Sequence, residues 1–425
     1  MCARRFHRHG RSGFRARALL AAIFLPLLLI ACTGPVRLSA VPDEHTTQAI
    51  VPGIPEARFW VDKEIEPFLR EALHSFERER AYLAGTGHSG ALPPVSFLAV
   101  SGGGDNGAFG AGLLKGWTEH GGRPVFKAVT GVSTGALIAP LAFLGSEYDD
   151  TLEEAYTAIT KDDIFEGRGL LAALFDDALA DTFPMSEMIA RFVTQDLLDA
   201  IAEEYEKGRL LFVGTTNLDA RRPIVWNMTA IAASRSPGAL ALFQKILLAS
   251  AAVPGAFPPV MIDVEVDGDH YQEMHVDGGA MTQVFLYPPT LNIALQSAQV
   301  HAQRERHVYI IRNARLDPEW ADVERRTFSI AGRAISSLIH SQGIGDLYRI
   351  YLTSQRDGFD YNLAYIGADF DHEHDDEFDQ AFMRALYEYA FELGRRGYPW
   401  RKTPPDFDTL DLTPTIEADT GVPSS

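Results

Sequence analysis

Cysteine is almost missing from this chain of 425 residues: there are two, Cys2 and Cys32. Residues 33–425 have no thiol, which excludes a disulfide framework and a thiolate metal site there. Basic charge is also short, with 38 Lys and Arg against 57 Asp and Glu and a formal charge of −19. Nucleic acid is therefore not an expected partner, because its phosphates need Lys and Arg. Nor is a basic patch expected to hold the body on an anionic membrane. The long apolar run is Ala18–Ala31, ALLAAIFLPLLLIA, too short to span a bilayer comfortably. No internal repeat is visible. What remains is ordinary globular composition, 46% hydrophobic, long enough for a large α/β domain with extensions.

The N-terminus reads as a targeting segment. Arg4, Arg5, Arg8, Arg11, Arg15 and Arg17 precede the apolar run with no acid among them, the pattern of a secretory signal. The run ends in Leu29-Ile30-Ala31-Cys32, which resembles the lipobox of bacterial lipoproteins. That resemblance implies a signal peptide over 1–31, removed during export, and a lipidated Cys32. Thr33 and Gly34 follow without an Asp, which implies the outer membrane of a bacterial cell envelope. Losing six arginines makes the body still more acidic, so membrane attachment is expected from the lipid chains.

Residues 33–57 carry Pro35, Pro42, Pro52 and Pro55 and read as an extended tether. Phe59 to Leu83 reads as an amphipathic helix, and 85–94 as a break. Short apolar runs at Val95–Val100, Phe126–Thr130, Leu210–Thr215, Ile224–Trp226 and His307–Ile311 read as strands. Apolar Ala136–Leu144 and the stretch Asp379–Gly394 read as helices. Strands alternating with helices predict a three-layer α/β fold, a central mainly parallel sheet with helices on both faces. The expected organisation is a signal peptide (1–31), tether and helix (32–94), catalytic-type domain (95–290), a C-terminal α/β continuation packed on it (291–402) and a tail (403–425).

Three short motifs carry chemistry. Gly131-Val132-Ser133-Thr134-Gly135 is a G-x-S-x-G between a strand and a helix. Its glycines let the chain turn sharply and lift the Ser133 hydroxyl to a helix N-terminus, where developing negative charge is favoured. Gly102-Gly103-Gly104-Asp105-Asn106-Gly107 also joins a strand to a helix. Its backbone N–H groups can hold an oxyanion, each donor being worth about 2.7–4 kcal/mol in a transition state. The spelling matches a dinucleotide fingerprint too. That fingerprint wants an acidic residue at the end of the next strand, and here the serine turn stands there, so no cofactor is expected. Asp277-Gly278-Gly279 places a carboxylate on a turn that other backbone can approach.

Together the motifs resemble the patatin-like phospholipase family over roughly residues 95 to 290, with a looser continuation to about 400. Thr215-Thr216-Asn217-Leu218-Asp219 and Ala249–Pro259, ASAAVPGAFPP, agree with it. The resemblance implies a lipid acyl hydrolase acting on membrane lipid esters. Ser133 would be the nucleophile and Asp277 its base, a dyad without histidine. Gly102, Gly103 and Gly104 would form the oxyanion hole, and Gly107, Gly131, Gly135, Gly278 and Gly279 would shape the turns. One departure is Asn106, where family members often carry a cation, and this weakens the case for an anionic head group.

Two rival readings remain: a Ser-His-Asp esterase of soluble esters, and a non-catalytic lipid-binding lipoprotein. Seven histidines follow Ser133; His275 shares a strand face with Asp277 but reads as a partly exposed strand residue. Asp371–Asp376 (DHEHDD) reads as a solvated acidic loop rather than a metal site. The lipobox makes a direct prediction. Substituting Cys32→Ser is expected to abolish labelling by a palmitate analogue, because the thiol is the acceptor; a variant that still takes the label removes the anchor.

Overall fold

The computed structural model describes residues 37–164, 166–167, 180–320, 322–374 and 376–407; the expected signal peptide, Cys32 and most of the tail lie outside them. Nine strands form one sheet: β1 (Arg58–Phe59), β2 (Val95–Val100), β3 (Phe126–Val132), β4 (Leu210–Asn217), β5 (Arg222–Asn227), β6 (Val260–Val266), β7 (Asp269–Asp277), β8 (Arg306–Arg312) and β9 (Asp360–Tyr365). Its parallel half runs β4-β3-β2-β8-β9. These strands are rich in Val, Ile, Leu and Phe and largely buried on both faces, as a covered parallel sheet requires. Antiparallel β5 and β1 close one edge, and the β6–β7 hairpin leans against the far end of β4.

Six helices position the site: α1 (Glu66–Gly85), α2 (Gly107–His120), α3 (Thr134–Leu144), α4 (Ala239–Ala251), α5 (Thr327–Asp357) and α6 (Gln380–Arg395). One core layer gathers Phe109, Leu113, Ile138, Phe143 and Phe243 on one side of the sheet. The other gathers Phe68, Phe212, Leu286, Leu347 and Tyr361. This is the expected three-layer arrangement.

Three expectations need correction. Described residues 37–57 are not an extended tether. Val41, Ala49, Val51, Ile54 and Ala57 are buried, Arg37 grips Asp219 with two bonds of 2.9 Å, and Ile50 and Glu265 exchange backbone bonds. The prolines space apolar side chains that still gain by leaving water. The helix expected from Phe59 begins at Glu66, with Pro67 in its first turn, and Phe59 sits in β1 against Val225. Residues 403–407 are docked: Phe407 packs on Tyr351 and the Pro405 carbonyl accepts from the Tyr348 hydroxyl. Two further strands form the β6–β7 hairpin: β6 alternates apolar Val260, Ile262, Val264 and Val266 inward, whereas the buried face of β7 is Glu273, His275 and Asp277, so hydrophobic alternation fails there.

Glu273 shows why those polar residues can be inside. Arg58 from β1 holds it through both terminal guanidinium nitrogens and also donates to the Ala49 carbonyl at 2.9 Å. Burial pushes the Glu273 carboxyl up, but Arg58 and then His275 outweigh it and bring it to about 2. A buried charge left alone is far costlier than a pair replaced as a whole. Substituting Glu273→Gln is therefore expected to cost about 3–5 kcal/mol in urea unfolding, whereas Arg58→Met with Glu273→Leu recovers most of that loss. A single variant as stable as the parent contradicts this account.

Candidate active site

The serine turn is strained. Ser133 sits between β3 and α3 at φ 55°, ψ −126°, a conformation costing a residue with a Cβ on the order of 1–3 kcal/mol. Close packing enforces it. A Cβ on Gly135 would lie 2.3 Å from the Val100 carbonyl oxygen, and one on Gly131 would lie 2.3 Å from that of Gly135. A relay of bonds adds to this: the Ser133 N–H donates to Ser250 Oγ at 3.0 Å, and the Ser250 hydroxyl donates to the Gly214 carbonyl at 2.7 Å. Ser250 lies in α4, in the ASAAVPGAFPP stretch. A serine inside an apolar helix was the signal that could have revealed its role.

Asp277 reaches the same place from β7. Along one edge of β4, Gly214 pairs with Val132 and the next residue, Thr215, pairs with Asp277. The last residue of β3 and the carboxylate thus occupy consecutive positions on one strand, and Ser133 follows Val132 directly. The Asp277 N–H donates to the Ala252 carbonyl at 2.9 Å, and its Oδ1 accepts from the Gly279 N–H at 2.6 Å. Its Oδ2 is buried without a partner in hydrogen-bonding geometry. Burial lifts the Asp277 carboxyl from its ordinary 3.8 to about 6, although the Ser133 hydroxyl and the Gly279 N–H pull the other way.

The glycine loop lies beside them. A Cβ on Gly102 would come within 3.1 Å of the Ser133 Cβ. The Gly102 N–H, however, donates to the Gln283 carbonyl at 3.1 Å, so it is not a free oxyanion donor, contrary to expectation. Among the described residues Gly103 and Gly104 keep unengaged N–H groups. Gly107 opens α2, and Gly278 packs against Gly214.

Residues beyond 290 hold this loop from outside. Asn313, fully buried after β8, donates its N–H to Ser101 Oγ and its amide to the Ser101 carbonyl, both at 2.9 Å, and accepts from the Gly110 N–H at 3.0 Å. Asp346 in α5 accepts from the Gln283 N–H at 2.7 Å, fixing the residue that holds Gly102. Asp105 is buried and accepts from the Phe378 N–H at 2.9 Å, with His374 Nε2 at 2.7 Å. The acidic loop is thus partly docked on the glycine loop rather than wholly solvated. Among the described residues no group of three His, Cys, Asp or Glu could hold a metal ion. Asn106 makes no capping bond to α2.

His275 is completely buried, not partly exposed as expected. Its Nδ1 meets Thr215 Oγ1 at 2.9 Å and its Nε2 meets Glu273 at 3.1 Å. Burial lowers its pKa despite Glu273. Among the described residues no histidine hydrogen-bonds Ser133 or Asp277.

A parallel-centred sheet between two helical layers, with a strained serine and a buried carboxylate at its strand ends, is an α/β fold of the patatin type. Residues 98–288 match the family model described as patatin-like phospholipase, so the chain carries a domain of that family. The domain speaks for the lipase and esterase class. The crystal structure of VipD from Legionella pneumophila is similar at 12% identity and a TM-score of 0.37, covering 71% of this chain and 66% of that one, just under two thirds. No curated protein matches the chain.

Burying Asp277 has a thermodynamic consequence. The folded state binds its proton more tightly than the unfolded chain, so stability is lost as pH rises from about 4 through about 6. The loss is on the order of 3 kcal/mol. Asp277→Asn is expected to be more stable than the parent at pH 8, with the gap closing toward pH 4. A less stable Asn variant at pH 8 would falsify the burial argument.

Proposed function

We propose that the protein hydrolyses carboxylic ester bonds of membrane lipids with a Ser133–Asp277 dyad, held at the outer membrane by an acylated Cys32. The observation that carries this reading is the strained Ser133 beside a buried carboxylate whose proton affinity is raised to about 6. A serine hydroxyl is a weak nucleophile without a base. A carboxylate becomes a useful base when water is withdrawn from it.

In the proposed mechanism Asp277 takes the Ser133 proton as Oγ bonds to the ester carbonyl carbon. Negative charge develops on the carbonyl oxygen, where the Gly103 and Gly104 N–H groups would receive it. The tetrahedral intermediate collapses, the C–O bond to the alcohol breaks, and Asp277 returns its proton to the leaving oxygen. Water then attacks the acyl-enzyme carbonyl, losing a proton to Asp277; the second tetrahedral intermediate collapses, the bond from the acyl carbon to Ser133 Oγ breaks, Asp277 returns the proton to Oγ, and the free acid leaves. No metal or cofactor takes part. The rival with a histidine base lacks support, since both nitrogens of His275 are occupied in the Glu273–Thr215 cluster. Tethering through Cys32 would raise the enzyme's concentration beside lipid without any new contact.

The test separates base from bystander. Ser133→Ala and Asp277→Asn should each remove most turnover, with the double variant little slower than Ser133→Ala, because residues acting as a unit lose activity non-additively. In the parent, kcat/KM should fall below about pH 6, where Asp277 holds a proton. Mass spectrometry of products from native membranes reads the substrate. Cleavage of soluble esters without any glycerolipid cleavage removes the lipid assignment.

A further inference from the structure

The helix α5 is longer than the sheet it covers. Its 31 residues rise about 46 Å, whereas the seven residues of β8 span about 23 Å. The part from Gly343 to Asp357 accounts for the sheet's height. Gly343 packs against Arg312, the last residue of β8, Asp346 holds Gln283 beside the glycine loop, and Asp357 takes the Tyr287 hydroxyl just before β9 begins. Residues 327–342 therefore project past the strand C-terminal ends, the end where Ser133 and Asp277 sit.

This projecting half is apolar on one face and uncovered. Ile330, Ala334 and Leu338 follow one another at i, i+4 and i+8, with Ile335 and Ile339 alongside. Ile330 is 51% exposed, Ile335 54% and Leu338 69%, and nearby Trp320 is 88% exposed. Arg333, Ser336 and His340 occupy the opposite face. In a chain with 57 acids, residues 327–345 contain no Asp or Glu, and Arg325 and Arg326 stand at their start. Around the site mouth Leu218, Val253 and Met281 are also exposed.

We infer that the projecting half of α5, residues 329–342, docks the protein on a phospholipid bilayer, its apolar face and Trp320 entering the head-group region while Arg325 and Arg333 meet lipid phosphates. An amphipathic helix with arginine on its polar face and Trp, Leu and Ile on the other is the composition that lies in a membrane interface. Net charge had argued against a basic membrane contact. Locally the argument weakens, because residues 327–345 carry no acid within an acidic body, the nearest before them being Asp322 and Glu324, of which Glu324 pairs with Arg326 at 3.1 Å. Such docking turns the strand ends, and so the proposed ester site, toward lipid. The inference deepens the hydrolase reading and takes its purpose from it, but binding can be measured without turnover.

The chain from residue 33, which contains every described residue and lacks Cys32, is mixed with phosphatidylcholine vesicles and sedimented, in both the Ser133 and Ser133→Ala forms. Both should co-sediment. Ile335→Glu with Leu338→Glu should weaken partitioning at least ten-fold in both, with unchanged circular dichroism and unchanged turnover of a soluble short-chain ester in the Ser133 form. Equal partitioning of the double variant overturns the inference. So does sedimentation velocity showing a dimer that the double variant breaks while neither form binds vesicles, since the face then covers a second copy. A protein that binds vesicles as expected yet cleaves no ester removes the hydrolase reading instead.

Discussion

Strand β4 offers one edge to two different strands, and the geometry of the site depends on that sharing. β3 pairs with it as far as Gly214 and stops; β7 arrives antiparallel and takes over at Thr215. Hydrogen-bond register fixes positions along a strand to a single residue, since a one-residue slip turns every side chain to the other face. The edge therefore acts as a ruler that sets Asp277 next to the residue preceding Ser133. The Gly214 carbonyl, at the changeover, also receives the Ser250 hydroxyl that braces the Ser133 backbone. Strain at φ 55° persists because its neighbours over-determine it.

Keeping a carboxylate at that changeover has a cost in stability, offset by polar order around it. Asp277, His275 and Glu273 line the buried face of β7, and only the last is balanced by a full charge, Arg58. His275 bridges Glu273 to Thr215, whose hydroxyl also receives the Trp226 indole N–H at 2.8 Å. The network fixes the strand from which Asp277 projects while leaving Asp277 itself without a cation. Burial holds its proton affinity up, and with no cation beside it nothing of opposite charge offsets that; a nearby Arg would have lowered it.

The matched domain ends near residue 288, yet the glycine loop is held by residues far beyond it. Asn313, Asp346, His374 and Phe378 each reach Ser101, Gln283 or Asp105. Backbone donors aimed at developing charge work only if they are fixed before the reaction. The C-terminal segment thus completes both the sheet, through β8 and β9, and the mould around the loop. The same α5 that supplies Asp346 continues outward as the exposed amphipathic half.

Much of the fold was legible because its signals are local. Apolar runs gave the parallel strands β2, β3, β4 and β8, and glycine spacing around Ser133 gave the turn, since sterics between neighbours a few residues apart decide both. Asp277 and Ser133 were named in the sequence through the resemblance of their motifs, not through any pattern linking them. The tertiary structure alone brought the two together, tied up the Gly102 N–H on Gln283, buried His275, and set His374 on Asp105 across 269 positions of chain. Such contacts leave no periodicity to read. They depend on which surfaces meet once the sheet has closed, and on the need of each buried polar group to find a partner there.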